Sequence, residues 1–330
     1  MEHLQNGTPW KDTDGNEIHA HGGHMLLAPD GYYYWYGEDR RGGAYVSVYR
    51  SRDLCRWEFR RHVLTVDSPV EPSRVKADMK LYRETDAAEY EARKNSGINS
   101  VILHNGRYLA KINLERPKVL YCEKTGKYVM WAHYENGKDY LAAACCIATC
   151  DTPDGDFVYH GSFNPYGAMS RDCTLFRDGE RAYFISSSRD NLDLHIYRLA
   201  PDYMNVARLV STPFQGELRE APAVYKHNGR YYMLSSFCTG WMPNQGKWAV
   251  ADDIEGDWSL LENFGDETTF HSQPAFVLQK DGQDIYVGDR WQWGSGEAYF
   301  TSTYVVLPIR YDGERPYITY DEQAAFGKIG

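Results

Sequence analysis

The sequence of 330 residues lacks the features that would assign it to a membrane, disulfide-rich or zinc-binding class. No stretch approaches the ~18 consecutive apolar residues of a membrane-spanning helix. The seven cysteines are odd in number and lack the paired spacing of a zinc site. Residues 1–5 show neither the basic nor the apolar region of a secretory signal peptide. We therefore expect reduced thiols and a cytoplasmic location, or a secreted protein if a signal peptide has been removed.

Basic residues are fewer than acidic ones, 36 Lys and Arg against 46 Asp and Glu, and the formal net charge is −10 at pH 7. This balance argues against nucleic acids and anionic membranes as partners and favours a neutral ligand. Aromatic residues, in contrast, are plentiful, with 27 Tyr, 12 Phe and 9 Trp. Such side chains favour β-strands and also stack well on sugar rings. Composition therefore fits a strand-rich protein whose partner is a neutral oligosaccharide or polysaccharide.

One unit recurs along the chain: a polar entry, an apolar strand, a turn and an aromatic strand. Residues 18–39 turn at Asp-Gly, and residues 216–236 turn at Asn-Gly, which is a strong hairpin signal. The units open near residues 18, 115, 170, 219 and 272. The steps from Glu115 through Asp172 and Glu220 to Gln273 are 57, 48 and 53 residues. A period of roughly 50 residues with several short strands predicts an all-β fold, a single five-bladed β-propeller over residues 1–330.

Residues 65–113 interrupt this period between the first and second units. Their segment from Asp78 to Lys94 is charged and helix-prone, and His104-Asn105-Gly106 suggests a hairpin turn. We predict an inserted, partly helical segment that is mostly helical between residues 74 and 94. Such an insert lies in a loop on one face of a propeller, which is often the binding face. A solvated excursion without a role explains it equally well.

The polar entries of the five units should meet at one mouth of the propeller channel, because the first strand of each blade lines that channel. These entries are His21-Gly22-Gly23, Glu115-Arg116, Arg171-Asp172, Arg219-Glu220 and Ser272-Gln273. A single polar entry is most simply a solvated strand end. Several that converge favour glycoside hydrolysis, in which one carboxyl donates a proton and another group assists water. When several acids lie close together, the pKa of one rises while a neighbour stays ionised, and this chemistry requires one group in each state.

Six aromatic residues near the predicted mouth are candidates for stacking on sugar faces, although many of them must instead fill the core between blades. They are Trp35, Tyr36, Trp131, Tyr134, Trp241 and Trp291.

The motifs together resemble glycoside hydrolase family 43, within the branch of exo-β-1,3-galactanases and related β-galactosidases. The motifs span most of the chain in order: Ala-His-Gly-Gly (20–23), Tyr-Tyr-Trp-Tyr-Gly-Glu (33–38), Glu-Arg-Pro-Lys-Val (115–119), Ser-Arg-Asp (170–172), Arg-Glu-Ala-Pro-Ala (219–223), Thr-Gly-Trp-x-Pro-Asn (239–244), Ser-Gln (272–273) and Gly-Asp-Arg-Trp (288–291). The resemblance implies a five-bladed propeller and catalysis that inverts the anomeric centre without a cofactor.

The resemblance also implies roles for individual residues. Glu220 matches the general acid and Asp172 the residue that tunes its pKa. The family's base Asp is absent from the first blade, as in the galactanase branch, where the resemblance implies that an amide matching Gln273 helps to activate water. Glu115 matches a carboxylate that contacts the sugar, and His24 replaces a glycine often found in the branch. The other expected substrate-binding residues are Glu38, His21, Arg116, Tyr134, Trp241, Asn244, Arg290 and Trp291.

Some relatives hold a metal near a channel histidine, but a lone histidine is more often structural. We therefore expect no metal here, although His21, His24, His133 and His271 offer imidazoles. An inverting site needs room for water, so the acid and the water-activating group should lie ~6.5–9.5 Å apart. Gln273 is the preferred water-activating group, and Glu115 is its competitor.

The main functional hypothesis is an exo-acting hydrolase that releases galactose from β-1,3-linked galactan or galacto-oligosaccharides. An α-L-arabinofuranosidase or β-xylosidase of the same family is an alternative within the same chemistry. A non-catalytic carbohydrate-binding propeller is an alternative from another class, and the missing base supports it. The presence of Asp172, Glu220, Glu115 and Gln273 opposes it.

Overall fold

The computed structural model describes residues 4–72, 80–95, 101–292 and 298–328. The first sheet is antiparallel, and its strands follow chain order: β1 (His21–Leu27), β2 (Tyr33–Glu38), β3 (Ala44–Ser51) and β4 (Glu58–Thr65). The insert that follows has a small sheet and a short helix: β5 (Tyr82–Glu84), α1 (Ala87–Arg93), β6 (Val101–His104) and β7 (Arg107–Lys111).

Four more sheets repeat the pattern of the first. The second holds β8 (Asn113–Cys122), β9 (Lys127–Glu135), β10 (Ala144–Cys150) and β11 (Val158–Phe163). The third holds β12 (Cys173–Asp178), β13 (Arg181–Ser188), β14 (Asp193–Leu199) and β15 (Val206–Ser211). The fourth holds β16 (Arg219–His227), β17 (Arg230–Phe237), β18 (Gly246–Ala251) and β19 (Glu262–Phe264). The fifth holds β20 (Gln273–Lys280), β21 (Gln283–Arg290) and β22 (Thr303–Pro308).

Short elements complete the described chain. A two-stranded ribbon joins β23 (Arg310–Asp312) to β24 (Arg315–Tyr317). Single turns of 3₁₀-helix cover Pro165–Gly167, Ala298–Thr301 and Ala325–Lys328. The amino-terminal segment lies against β22, where Asn6 bonds the backbone of Val306 through both ends of its amide.

The first strands of the five sheets form a closed ring. Strand β1 contacts β8, β8 contacts β12, β12 contacts β16, β16 contacts β20, and β20 returns to β1. Each remaining sheet strand lies farther outward in hairpin order. This arrangement is a five-bladed β-propeller, as the repeated unit predicts, and it brings the five polar entries to one end of the ring.

The core lies between neighbouring blades rather than at one centre. Five clusters of buried apolar side chains fill the five gaps between blades, the last one joining the fifth blade to the first. Trp35, Tyr36, Trp131 and Tyr134 belong to these clusters, and each is at most 4% exposed. These four rings stabilise blade packing, so they are the members of the six aromatic candidates that fill the core between blades instead of stacking on sugars.

The inner strands carry bulges just after their polar entries. Register shifts occur between His21 and His24 in β1, between Glu115 and Lys118 in β8, and between Glu220 and Ala223 in β16. Arg116 and Ala221 adopt positive φ values of 53° and 52° at these points. Because non-glycine residues rarely occupy that region, the local backbone is strained where the strands approach the mouth. Glu115, Arg116 and Glu220 lie at the start of these bulges, and their side chains line the channel mouth.

The insert is less helical than predicted. Only Ala87–Arg93 forms a helix among its described residues, while Tyr82–Glu84 pairs with β7 as a strand. The helix begins at Asp86, whose side chain accepts a hydrogen bond from the Glu89 amide at 2.9 Å. Pairing with β7 overrides the local helix propensity of residues 82–84. The predicted hairpin turn at Asn105 and Gly106 is present between β6 and β7, and residues 74–79 lie outside the described residues.

The seven cysteines are all free thiols. Within the described ranges, no helix has both the length and the apolar character needed to cross a lipid bilayer.

Candidate active site

A pocket of about 190 Å³ opens at the channel mouth, where the five entries meet. The described side chains and backbone around it come from every blade. They belong to Glu38, Arg40, Glu115, Arg116, His133, Tyr140, Arg171, Asp172, Asn191, Glu220, Gly240, Trp241, Gln273 and Trp291.

Glu220 lies in the pocket wall and is 8% exposed. Burial, together with the negative charge of Asp172, raises the pKa of Glu220 to about 8. Removing a carboxyl from water disfavours its charged form, and a neighbouring anion disfavours it further. Glu220 therefore holds a proton at neutral pH, which a general acid must do before it can donate one.

Gln273 orients the Glu220 carboxyl. The Gln273 Oε1 accepts a hydrogen bond from Trp291 Nε1 at 2.8 Å and another from the Arg116 guanidinium. Both of those groups can only donate, so they fix the oxygen side of the amide. The Nε2 must then face the other way, where it donates to Glu220 Oε1 at 2.8 Å and to Ser236 Oγ at 2.9 Å.

Arg116 joins its own blade, the second, to three others beneath the pocket. Its Nε lies 2.7 Å from Asp172 Oδ2, and its Nη1 donates to the Pro274 carbonyl at 2.9 Å. Its backbone amide donates to Glu38 Oε1 at 3.0 Å. Asp172 Oδ2 also accepts the Ala221 amide at 3.1 Å, next to Glu220 in sequence. The Asp172 carboxylate is thus held close to the acid by an arginine that is itself 4% exposed.

Glu115 is ionised at the opposite side of the pocket. Burial alone would raise its pKa, but contact with His133 and the charge of Arg40 hold the pKa of Glu115 well below its usual range. Its oxygens lie 2.9 Å from Arg40 Nη2, 2.6 Å from Tyr140 Oη and 3.2 Å from His133 Nδ1. Although burial opposes it, pairing with Glu115 and Glu135 raises the pKa of His133 to about 9.

Glu38 is a second acid beside Glu115, and the two share Arg40. Its Oε2 lies 3.0 Å from Arg40 Nη2, and burial raises the pKa of Glu38. Tyr299 also donates to that oxygen at 3.2 Å. One guanidinium therefore links a protonatable carboxyl and an ionised carboxylate in the pocket.

Four of the residues predicted to bind substrate do not line this pocket. Tyr134 is in the core between the first two blades. His21 is fully buried below the pocket, with Nδ1 3.1 Å from Asp289 Oδ1. Arg290 donates to the Phe270 carbonyl at 2.8 Å, and Asn244 fastens a surface loop through Phe237 and Thr239. His21 pairs with the Asp289 side chain, whereas the polar groups of the other three bond backbone atoms, so these four predicted residues lie outside the pocket lining.

The other predicted site residues do meet in the pocket: Glu220, Asp172, Gln273, Glu115, Glu38, Arg116, Trp241 and Trp291. Trp241 and Trp291 form an edge-to-face pair with ring centres 5.5 Å apart, at the rim near Gly240. The two rings supply the aromatic surface that the composition suggested.

Four pocket residues were not among the predicted entries or substrate-binding residues: Arg40, His133, Tyr140 and Asn191. Arg40 follows β2 and His133 lies in β9, so neither belongs to the strand entries that were expected to meet at the channel mouth. Antiparallel pairing places Glu115 opposite His133 and His21 opposite Glu38. His133 could have been predicted from the hairpin between β8 and β9, because the residue that pairs with Glu115 can be found by counting equal distances from the turn along both strands. Tyr140 and Asn191 come from loops, for which the sequence has no comparable signal.

The predicted separation between acid and water-activating group is wrong for Glu220 and Gln273. The amide nitrogen lies 2.8 Å from the carboxyl oxygen, so no water fits between these two atoms. The strong donors Arg116 and Trp291 turn the amide toward Glu220. The water-activating role of Gln273 stays a prediction.

Glu115, His133 and Asp172 are near enough to share an ion, since their ligand atoms lie within 4.8 Å of one another. Pairing with Glu115 and Glu135 raises the pKa of His133, so its imidazole would have to give up a proton before it could bind an ion.

Fold and site together define a glycoside hydrolase: a propeller whose channel mouth holds a protonated glutamic acid among aromatic and charged side chains. The chain belongs to the glycosyl hydrolases of family 43, whose sequence profile matches residues 117–293.

Solved structures of similar proteins support this assignment. An exo-β-1,3-galactanase from Clostridium thermocellum is 40% identical, with a TM-score of 0.79, over 96% of this chain and 65% of its own. An exo-β-1,3-galactanase from Phanerochaete chrysosporium, in a structure with β-1,3-galactotriose, is 31% identical with a TM-score of 0.79. The match covers 98% of this chain and 68% of the galactanase. A family 43 β-1,3-galactosidase with galactodeoxynojirimycin is 30% identical with a TM-score of 0.79. The match covers 97% of this chain and 99% of the galactosidase. This chain thus spans about two thirds of the two galactanases, and no curated protein matched it.

Proposed function

We propose that this protein is an exo-acting hydrolase that releases galactose from β-1,3-linked galactan or galacto-oligosaccharides with inversion at the anomeric carbon. The observation that carries the proposal is the buried Glu220 carboxyl, whose pKa is raised to about 8 beside the ionic pair of Asp172 and Arg116. A protonated carboxyl in a sugar-sized pocket has the chemistry of a general acid for glycosidic bond cleavage.

In the proposed reaction, Glu220 donates its proton to the oxygen of the departing sugar. Gln273 keeps the carboxyl in one orientation through the 2.8 Å hydrogen bond to Oε1. Asp172 keeps the proton on Glu220 until substrate arrives, because its charge adds to the effect of burial. Water attacks the anomeric carbon from the opposite face of the ring as the glycosidic bond breaks, and its proton passes to the water-activating group, for which Gln273 and Glu115 are the candidates. The product therefore has inverted configuration.

The ionised side of the pocket suits recognition of sugar hydroxyls. Glu115 accepts from Tyr140 and faces Arg40, and a carboxylate has further lone pairs that can accept hydrogen bonds from hydroxyl groups. The Trp241–Trp291 pair offers an apolar surface for a ring face. We assign Glu115 to substrate positioning, and it remains the competitor of Gln273 for activating water.

Exo-action and the galactose preference rest on pocket size and on similar proteins. The volume of about 190 Å³ is smaller than the ~300–1,000 Å³ of sites for drug-sized ligands, which favours one terminal sugar over an internal stretch of polymer. The similar proteins are described as exo-β-1,3-galactanases and a β-1,3-galactosidase, in structures with galactotriose and with galactodeoxynojirimycin.

The experiment is a substrate panel with product analysis. Purified protein is incubated with β-1,3-galactobiose, β-1,3-galactan and aryl glycosides of β-galactose, β-xylose and α-L-arabinofuranose. We expect galactose release from the galactosides, with the α-anomer appearing first by NMR. Preferential cleavage of the xyloside or arabinofuranoside would contradict the substrate assignment. Binding of galactobiose without any sugar release would instead identify a carbohydrate-binding propeller.

A further inference from the structure

A lysine of the insert is buried against the backbone of a loop that borders the pocket. Lys111 is the last residue of β7 and is 3% exposed. Its Nζ donates to three backbone carbonyls, those of Arg40 at 3.2 Å, Gly42 at 2.8 Å and Ala44 at 2.6 Å. An ammonium group has three donors, so every one of them is used on this single loop.

Burying an ammonium group without a carboxylate in direct contact is unfavourable. Burial lowers the pKa of Lys111 to about 7, and the nearby charge of Asp39 only partly offsets this. The face of the Tyr45 ring lies 5.0 Å from Nζ and contributes a weaker attraction. If this position served only to stabilise the fold, a buried apolar side chain would do so at lower cost than a buried lysine. The lysine is therefore explained by its three hydrogen bonds, which fix the positions of the three carbonyls.

The loop carries Arg40 into the pocket. Arg40 Nη2 lies 2.9 Å from Glu115 Oε1 and 3.0 Å from Glu38 Oε2, and its guanidinium covers the Tyr299 ring at 4.7 Å. The backbone carbonyl of this same residue accepts from Lys111. The backbone of Arg40 thus contacts the buried lysine, while its side chain contacts two carboxyl groups in the pocket.

We propose that Lys111 is a positioning residue for the active site and acts through Arg40. By fixing the backbone of residues 40–44, it holds Arg40 where one guanidinium bridges Glu38 and Glu115. The insert between the first two blades therefore helps to build the pocket instead of being a solvated excursion. This inference rests on the proposed hydrolase activity for its kinetic consequence, but its structural consequence does not depend on that activity.

The kinetic test is a double-mutant cycle on galactobiose hydrolysis. Lys111→Met keeps the length of the side chain and removes the three donors. A displaced binding group can cost up to about 10²-fold in rate, and we expect a loss of kcat/KM of up to that size. In an Arg40→Met background the same change should have almost no further effect on kcat/KM, because residues that act through one another are not additive. Equal losses in both backgrounds would show that Lys111 acts only on general stability and would overturn the proposal.

Tyr45→Phe is the matched control. It removes another buried hydrogen bond between the first blade and the insert, to the Leu81 carbonyl, and keeps the ring beside Lys111. We expect a similar or smaller loss of thermal stability with kcat/KM close to that of the unaltered protein. If Lys111→Met does not fold, Lys111→Gln, which retains two donors, takes its place in the cycle.

A crystal structure of the folded Lys111 variant separates this inference from the proposed function. We expect residues 40–44 to shift and Arg40 to leave Glu115, whether or not the protein hydrolyses galactosides. An unchanged loop with Arg40 still bridging both carboxyls would overturn the inference. An unaltered protein that hydrolyses no substrate would instead overturn the proposed function alone.

Discussion

Gln273 donates a hydrogen bond of 2.8 Å from Nε2 to Oε1 of Glu220. The two residues come from the inner strands of neighbouring blades, and the bond joins their entries across the channel mouth. Arg116 and Trp291 both donate hydrogen bonds to the amide oxygen of Gln273. If the amide rotated by 180°, its NH₂ group would face these two donors and no acceptor, so the observed orientation is fixed. The orientation of the acid is therefore determined by residues of several blades.

Glu220→Gln tests the general acid. The substitution keeps the size of the side chain, so we expect an intact fold but turnover of galactobiose lowered by ~10²–10⁴-fold. The loss should be smaller for an aryl galactoside whose leaving group needs little protonation. The measurement is kcat on both substrates beside the control Glu217→Gln, which changes an exposed glutamate three residues earlier. Equal losses on the two substrates would argue against proton donation by Glu220.

The pH profile should show the raised pKa of Glu220. Only the protonated form can donate, so kcat/KM for galactobiose should fall as the pH rises above about 8. Asp172→Asn removes a negative charge that raises the pKa of Glu220, and the basic limb should then move to lower pH with lower activity. Asp178→Asn, which alters an ion pair with Lys226 away from the pocket, is the control and should leave the limb unchanged. A basic limb that Asp172→Asn does not move would contradict the tuning role.

Gln273→Ala and Glu115→Ala separate the two candidates for activating water. We expect Gln273→Ala to lower kcat severely, because Glu220 loses the donor that orients it. Partial rescue by azide, which replaces the attacking water, would show that Gln273 also activates water. Glu115→Ala should mainly raise KM. The control is Gln279→Ala, an exposed glutamine on the same strand β20. Normal kcat in Gln273→Ala together with an inactive, azide-rescued Glu115→Ala would transfer the role to Glu115.

Trp291→Phe tests how the amide is held. The substitution keeps an aromatic ring but removes the donor to Gln273 Oε1. Loss of one buried hydrogen bond costs about 1–3 kcal/mol, and about 1.4 kcal/mol corresponds to a tenfold change. We therefore expect kcat/KM to fall about tenfold or more. Trp258→Phe serves as the control, because its indole nitrogen has no hydrogen-bond partner among the described residues. Activity unchanged in both variants would show that Arg116 alone is sufficient to orient Gln273.

The order of the blades could be predicted from sequence because each one repeats the same local pattern. Turn residues such as Asn228 and Gly229 define the hairpins locally, and the entries at Glu115, Asp172, Glu220 and Gln273 recur at nearly constant spacing. The helix of the insert was predicted too long because residues 82–84 pair with β7, a contact that local propensity does not contain.

The sequence by itself determined the propeller, the five entries and the residue types at the channel mouth, since these depend on hairpin turns and on strand period. Only the tertiary structure decided which aromatic rings face the pocket: Trp131 fills a gap between blades, whereas Trp241 and Trp291 reach the rim. It also decided that Glu220 is protonated and that Gln273 faces it. Burial, charge and hydrogen-bond direction at that point depend on Asp172, Arg116 and other residues that are distant in sequence and meet only when the ring of blades closes.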